Sequence, residues 1–265
     1  MRRVGGLSTT ALSGTTLLCA IASLHPSPAA AETGQFTPSQ LTHGRMTQSR
    51  LSWGGSLALT SDYVYRGLSQ TEGRPAVQGE VHVRSESGWS LGMRASTVNR
   101  GQSSGARSEI DLQLAQSWSF GSDWSLQLSA NHYFYPDDNR SQPYEYDEFV
   151  ASLSYQNRLT ATLAWSPNTS RFGHEVFVRD QTARSYELTA LQPLSPSWSL
   201  FSGAGYHDLN ELFATGYWYW NAGVTYCLGN LQIDLSHIDT DHTARRLFDY
   251  EVGKRQWIAA LSWRF

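Results

Sequence analysis

Cysteine is nearly absent: Cys19 and Cys227 are the only two in 265 residues. The first lies in a stretch built like an export signal, with Arg2 and Arg3 as a positive start and a mostly small, apolar run from 11 to 24. Ala29-Ala30-Ala31 then offers a cleavage site before Glu32. Cleavage would leave Cys227 alone, so the exported chain has no means of forming an intramolecular disulfide. Cys19 lacks the small preceding residue of a lipoprotein signal, and the apolar run is too short and too rich in Ser and Thr to anchor a helix in a bilayer. A basic excess is lacking as well. Without Arg2 and Arg3 the chain holds 18 basic against 23 acidic residues, a net charge near −5 that argues against nucleic acid as a partner. Nor is there a second hydrophobic run long enough for a membrane helix.

What is present is aromatic and alternating. Mean hydropathy lies below zero, yet 12% of the residues are Phe, Trp or Tyr. That combination fits a membrane β-barrel, in which only every second residue of a strand meets lipid. Between 56 and 66 the odd positions read Leu57, Leu59, Ser61, Tyr63, Tyr65 and the even ones Ser56, Ala58, Thr60, Asp62, Val64, Arg66. After a Gly/Pro-punctuated gap, Val77, Gly79, Val81 and Val83 alternate with Gln78, Glu80, His82 and Arg84. Strand side chains alternate faces, so the pattern predicts a hairpin with one apolar and one charged face.

The polar, aperiodic segment 32–52 reads as a flexible periplasmic lead-in, with a plug as the alternative, and 53–265 as the barrel. Twelve strands are predicted, near 54–66, 75–85, 89–98, 108–120, 124–135, 145–155, 159–166, 185–192, 198–207, 217–228, 231–239 and 256–265. Their connections alternate in length. Segments 67–74, 99–107, 136–144, 167–184, 208–216 and 240–255 are long and polar; 86–88, 121–123, 156–158, 193–197 and 229–230 are short. Outer-membrane barrels have this parity, with short periplasmic turns and long outside loops. The fold expected is therefore an all-β, twelve-stranded antiparallel transmembrane barrel in the outer membrane of a Gram-negative bacterium.

The turns agree with the faces. Ser85 opposite Trp89, Phe120 opposite Trp124 and Tyr155 opposite Leu159 each leave three residues, and Leu228 opposite Leu231 leaves Gly229-Asn230. A slip of one residue would turn an entire strand inside out. Trp89, Trp124 and Trp198 open strands after short turns, while Tyr63, Tyr65, Trp165 and Tyr206 lie near opposite ends, as two interfacial belts require. The last strand places Trp257, Ala259, Leu261, Trp263 and the terminal Phe265 outward in phase. This resembles the C-terminal signal read by the bacterial outer-membrane assembly machinery, the protein partner expected beside membrane lipid and lipopolysaccharide.

Ser61-Asp62-Tyr63, Arg66-Gly67, Ser69-Gln70-Thr71, Pro75-Ala76 and Gln78-Gly79 resemble the opening signature of the TorF-type porin family of proteobacterial outer-membrane proteins. Tyr133-Phe134-Tyr135-Pro136 resembles the family's aromatic-Pro strand end. The resemblance implies a barrel and, by fold, a pore; no loop-borne specificity follows from it.

The inward face should carry Asp62, Arg66, Glu80, His82, Arg84, Arg94, Glu109, Asp111, Glu148, Glu187, Asp234 and Arg264, seven carboxylates against four arginines. Such a wall either lines a hydrated channel for small solutes or seals the interior through Arg–carboxylate ladders. The first reading gives passive diffusion of small polar or cationic solutes; the second gives a closed barrel serving adhesion or envelope structure through its outer loops. The three-residue turn at 86–88 should set Glu80 opposite Arg94, both inward; in the channel reading the acid-rich long-loop side should favour cations unless Arg171, Arg179 and Arg184 neutralise it. His237, Asp239, Asp241 and His242 form the sharpest metal-like cluster, yet acidic loop ends are ordinarily solvated and no EF-hand spacing occurs, so neither metal nor other cofactor is expected. An enzyme is not expected either: there is no Gly-x-Ser-x-Gly elbow, and His132 reads as a belt-level residue.

Overall fold

The computed structural model describes residues 51–99, 105–139, 144–172, 177–248 and 250–265. The export signal (1–31) and all but the last two residues of the lead-in (32–52) lie outside the described residues; Leu51 and Ser52 already belong to a strand. Among the described residues fourteen strands follow in order: β1 (Leu51–Thr60), β2 (Val64–Tyr65), β3 (Leu68–Ser69), β4 (Ala76–Ser85), β5 (Trp89–Thr97), β6 (Ser108–Phe120), β7 (Trp124–Phe134), β8 (Glu145–Tyr155), β9 (Leu159–Phe172), β10 (Phe177–Pro193), β11 (Trp198–Leu209), β12 (Thr215–Leu228), β13 (Leu231–Thr240) and β14 (Gln256–Arg264). Twelve of them close into one antiparallel barrel in which β1 pairs with both β4 and β14, and β2 and β3 form a separate two-stranded sheet. Among the described residues three short helices, α1 (Asn210–Phe213), α2 (His242–Leu247) and α3 (Tyr250–Gly253), lie in the connections on the long-loop side.

The predicted turns hold. Arg84 pairs with Ser90, which leaves Ser85 opposite Trp89, and Gly88 takes the left-handed conformation (φ +90°) that the three-residue turn needs. Phe120 faces Trp124, Tyr155 faces Leu159 and Leu228 faces Leu231. With these registers fixed, Leu57, Leu59, Val81, Leu91, Leu112 and Leu235 all point outward and stay exposed, whereas Glu109, Glu148, Asp234 and Ser236 point inward and are buried. An apolar exterior around a polar interior is the reverse of a water-soluble protein. Trp89, Trp124 and Trp198 form a ring at the short-turn end, the second against Tyr155 (4.8 Å between centroids) and the third against Tyr226 (4.7 Å). Trp165 and the Tyr206–Trp218 pair (5.1 Å) stand outward at the other end. If this exterior meets lipid, placing a charge on it at mid-strand is costly. Leu235→Arg should destabilise the barrel in vesicles by about 2–4 kcal/mol, read by urea titration; an unchanged titration would argue against lipid contact there.

Two expectations fail. The first strand does not run to Arg66: β1 ends at Thr60, and residues 61–75 turn into the barrel, carrying β2 and β3 with them. Tyr63 (3% exposed) and Tyr65 therefore belong to the interior and not to an outer belt. The long polar connection at 167–184 is likewise mostly strand, since β9 runs to Phe172 and β10 starts at Phe177. Seventeen residues in β10 extend about 56 Å at ~3.3 Å each. Even tilted by about 40°, that exceeds the ~25 Å apolar band of such barrels. The pair thus projects as a ribbon past the length of such an apolar band on the long-loop side, bulged around Asp180 (φ +53°), where the register shifts.

Candidate functional site: the barrel interior

Every sequence-predicted interior residue is on the inner side, but the first two arrive by another route. Asp62 and Arg66 enter on the inserted loop; Glu80, His82 and Arg84 come from β4, Arg94 from β5, Glu109 and Asp111 from β6, Glu148 from β8, Glu187 from β10, Asp234 from β13 and Arg264 from β14. Glu80 and Arg94 are register partners, as expected. Their side chains nevertheless diverge. Arg94 has Asp111 as its partner on the other neighbouring strand and turns that way, donating from Nε to Asp111 Oδ2 (2.7 Å), with Nη2 2.5 Å from the same oxygen. Nη2 also reaches Glu109 (3.4 Å) and the Tyr63 hydroxyl (2.9 Å). Glu80 instead lies 3.3 Å from His82 Nδ1. Two carboxylates deep in the wall hold a guanidinium more firmly than one partly exposed carboxylate does.

The inserted loop fills the long-loop half of the interior. Arg66 Nη2 donates to Glu148 Oε2 at 2.7 Å, and Ser166 (3.1 Å) and the Tyr65 hydroxyl (3.2 Å) donate to the same carboxylate. Tyr63 (2.6 Å) and Tyr135 (2.5 Å) both donate to Glu109, and Tyr217 donates to the Arg66 carbonyl at 3.0 Å. Asp62 braces the loop internally through Ser69 (2.6 Å) and Thr71 (2.5 Å). Apolar contacts complete the insertion: Val64 packs with the inward Ile238 and Ile258, and Leu68 with Leu209, Leu212, Tyr217 and Tyr219 beneath α1 and α2. Gly67 makes the approach possible. At φ +79° a β-carbon there would lie 2.5 Å from Thr240 Cγ2 and 2.8 Å from Tyr219 Cβ.

Toward the short turns the wall is lined by smaller polar groups. Ser152 pairs with Thr162 (3.1 Å) and Ser154 with Thr160 (2.9 Å). Asp234 accepts from Thr225 and from Gln232 (2.7 Å), whose carbonyl accepts from Arg264 (2.8 Å). Glu187 accepts from Tyr219 at 2.9 Å. A void of about 30 Å³ beside Glu80, Arg94, Asp111, Gln113 and Asn131 has room for a water or two, not for a larger solute.

The interior tyrosines were missed as site residues. Besides Tyr63 and Tyr65 they include Tyr133, stacked on Tyr146 at 4.5 Å, and Tyr217 and Tyr219. Their phase could have revealed them: Tyr133 and Tyr135 share parity with the inward Asn131, and Tyr217 and Tyr219 with Asn221, while Phe134, Trp218 and Trp220 between them face outward.

The metal-like cluster disperses. Asp241 caps α2 through the amides of Thr243 and Ala244, Asp239 pairs with Arg245, and His237 packs outward on Trp257 (5.1 Å). Among the described residues no group of three or more His, Cys, Asp or Glu side chains is placed to hold a metal. His132 has an unforeseen partner, Asp147 at 2.9 Å, itself joined to Asn168. Among the described residues Ser185 Oγ lies 2.5 Å from His207 Nδ1 on the inner side, and the same nitrogen lies 3.2 Å from the Arg184 carbonyl.

Residues 46–265 match the model of a family described as "Bacterial protein of unknown function (Gcw_chp)", and the chain belongs to that family. The match is to this family; the likeness to TorF-type porins remains a resemblance. Among curated proteins no sequence matches. Among solved structures, the NanC porin superposes with a TM-score of 0.51 at 8% identity, covering 80% of this chain and 98% of that one. The KdgM porin gives 0.49 at 8%, covering 80% and 99%. At such identity the likeness to NanC establishes a shared barrel fold and nothing about cargo.

Proposed function

We propose that the chain is an outer-membrane channel for small polar solutes, with a preference for cations, whose bore is set by the inserted loop 61–75. The observation that carries this reading is a closed barrel, apolar outside, with seven carboxylates and four arginines on its inner side. The barrel would sit in the outer membrane of a Gram-negative bacterium, with lipid and lipopolysaccharide against its exterior. The terminal ladder Trp257, Ala259, Leu261, Trp263, Phe265 would be read by the assembly machinery. An excess of one charge sign in a low-dielectric cleft concentrates counter-ions, and acid-rich pores pass cations. Burial of the interior favours a second reading, a sealed barrel acting in adhesion or envelope structure through its long-loop side: Glu148 is 1% and Asp234 2% exposed.

Reversal potential across a salt gradient in a planar bilayer separates the two. A cation bias is expected, largest in dilute salt because screening shortens to about 10 Å near 0.1 M. It should shrink in Glu80→Gln/Glu187→Gln, whose carboxylates lie 3.3 Å from His82 Nδ1 and accept from the Tyr219 hydroxyl respectively. Anion preference would refute the charge argument, and absence of current would favour the sealed barrel.

A further inference from the structure

We propose that Glu148, with the aromatic surface beside it, is a binding site for organic cations bearing a guanidinium or primary ammonium group, and that Arg66 occupies it as an internal stand-in. The proposal deepens the channel reading above by naming a solute class. The carboxylate is buried and hydrogen-bonded on both oxygens: Arg66 and Ser166 serve one, Tyr65 the other. The guanidinium carbon of Arg66 lies 4.6 Å from the Tyr65 ring centroid. A carboxylate with an aromatic face alongside is what a planar, hydrogen-bond-donating cation requires.

The occupant is held differently from a structural arginine. Arg94 stands on a wall strand, clamped between Asp111 and Glu109, with its backbone fixed in the sheet. Arg66 is delivered by a loop and has a left-handed backbone (φ +49°), followed by Gly67 at φ +79°. That conformation is unfavourable for a residue with a side chain and persists only where its surroundings impose it. The contacts imposing it include the Glu148 pair itself, the Tyr217 hydroxyl on the Arg66 carbonyl, and the Tyr63 hydroxyl on Glu109. An incoming cation that takes over Glu148 would remove the first of these and release backbone strain together. Solute binding and release of the Arg66 side chain thereby become one event, with the Tyr65 ring left beside the carboxylate.

The test is calorimetric binding of agmatine to purified, folded Arg66→Ala, wild type and Arg66→Ala/Glu148→Gln, with tetraethylammonium as a cation lacking N–H donors. Agmatine should bind Arg66→Ala at least about tenfold more tightly than wild type, the double variant should not bind it, and tetraethylammonium should bind none of the three. Equal binding by all three, or equal binding of the two cations, would overturn the proposal. Should Arg66→Ala not fold alone, refolding yield with and without agmatine replaces calorimetry: a rise confined to the single variant supports the site, and no rise refutes it. These readouts need no current, so agmatine binding by a barrel that conducts nothing would fault the channel reading and leave the site intact.

Discussion

Deleting Phe265 is expected to cut the amount of inserted barrel by at least about tenfold, with precursor accumulating in the periplasm. The residue closes the seam. Its amide donates to the Gly55 carbonyl and its carbonyl accepts from the Gly55 amide, both at 3.0 Å. Its ring packs on Trp263 (5.1 Å) and Trp53 (6.4 Å) and lies over Gly55, where a β-carbon would meet it at 2.8 Å. Two backbone bonds at about 1 kcal/mol each and aromatic contacts of about 0.5–1.5 kcal/mol are lost together. On the proposal that the assembly machinery reads this terminus, recognition is lost with them. Heat-modifiable mobility and protease accessibility at the cell surface report insertion; normal insertion of the deletion would reduce the ladder to ordinary packing.

Gly67→Val should raise single-channel conductance severalfold and lower barrel stability. At φ +79° a β-branched residue is strained, and its β-carbon would collide with Thr240 and Tyr219. Neither strand can yield without breaking barrel pairing, so the loop has to withdraw. Gly73→Val is the matched control. Its φ is +75°, but a β-carbon there meets only Lys254 Nζ at 3.9 Å, so strain is introduced without collision. A Gly67→Val barrel that folds and conducts as wild type does would mean the loop is not the constriction.

The barrel was legible because two local rules are repeated in every hairpin. Alternation fixes the face and the short turn fixes the register, and Ser85-Glu86-Ser87-Gly88-Trp89 satisfies both without distant information. Residues 61–69 defeated the same rules, because Tyr63 and Tyr65 alternate equally well along an outer strand and inside an inserted loop. What decides is long-range: the hydroxyl partners are Glu109 and Glu148, 46 and 83 positions away. The ribbon of β9 and β10 escaped notice for a related reason. Beyond lipid neither face need be apolar, and Asn168-Thr169-Ser170 shows no alternation to read. Within the site, parity placed each wall carboxylate inward, yet Arg94 has an acid on both neighbouring strands, and register alone does not choose between them. Glu109 and the Tyr63 hydroxyl, the second brought by the inserted loop, tip the choice toward Asp111.

Single-channel recording of wild type beside a chain in which residues 62–74 are replaced by a short Gly/Ser turn tests the account most directly. Small, cation-biased current steps are expected from wild type, and severalfold larger steps from the shortened barrel at the same voltage and salt. A shortened barrel that is folded, inserted and silent would contradict it.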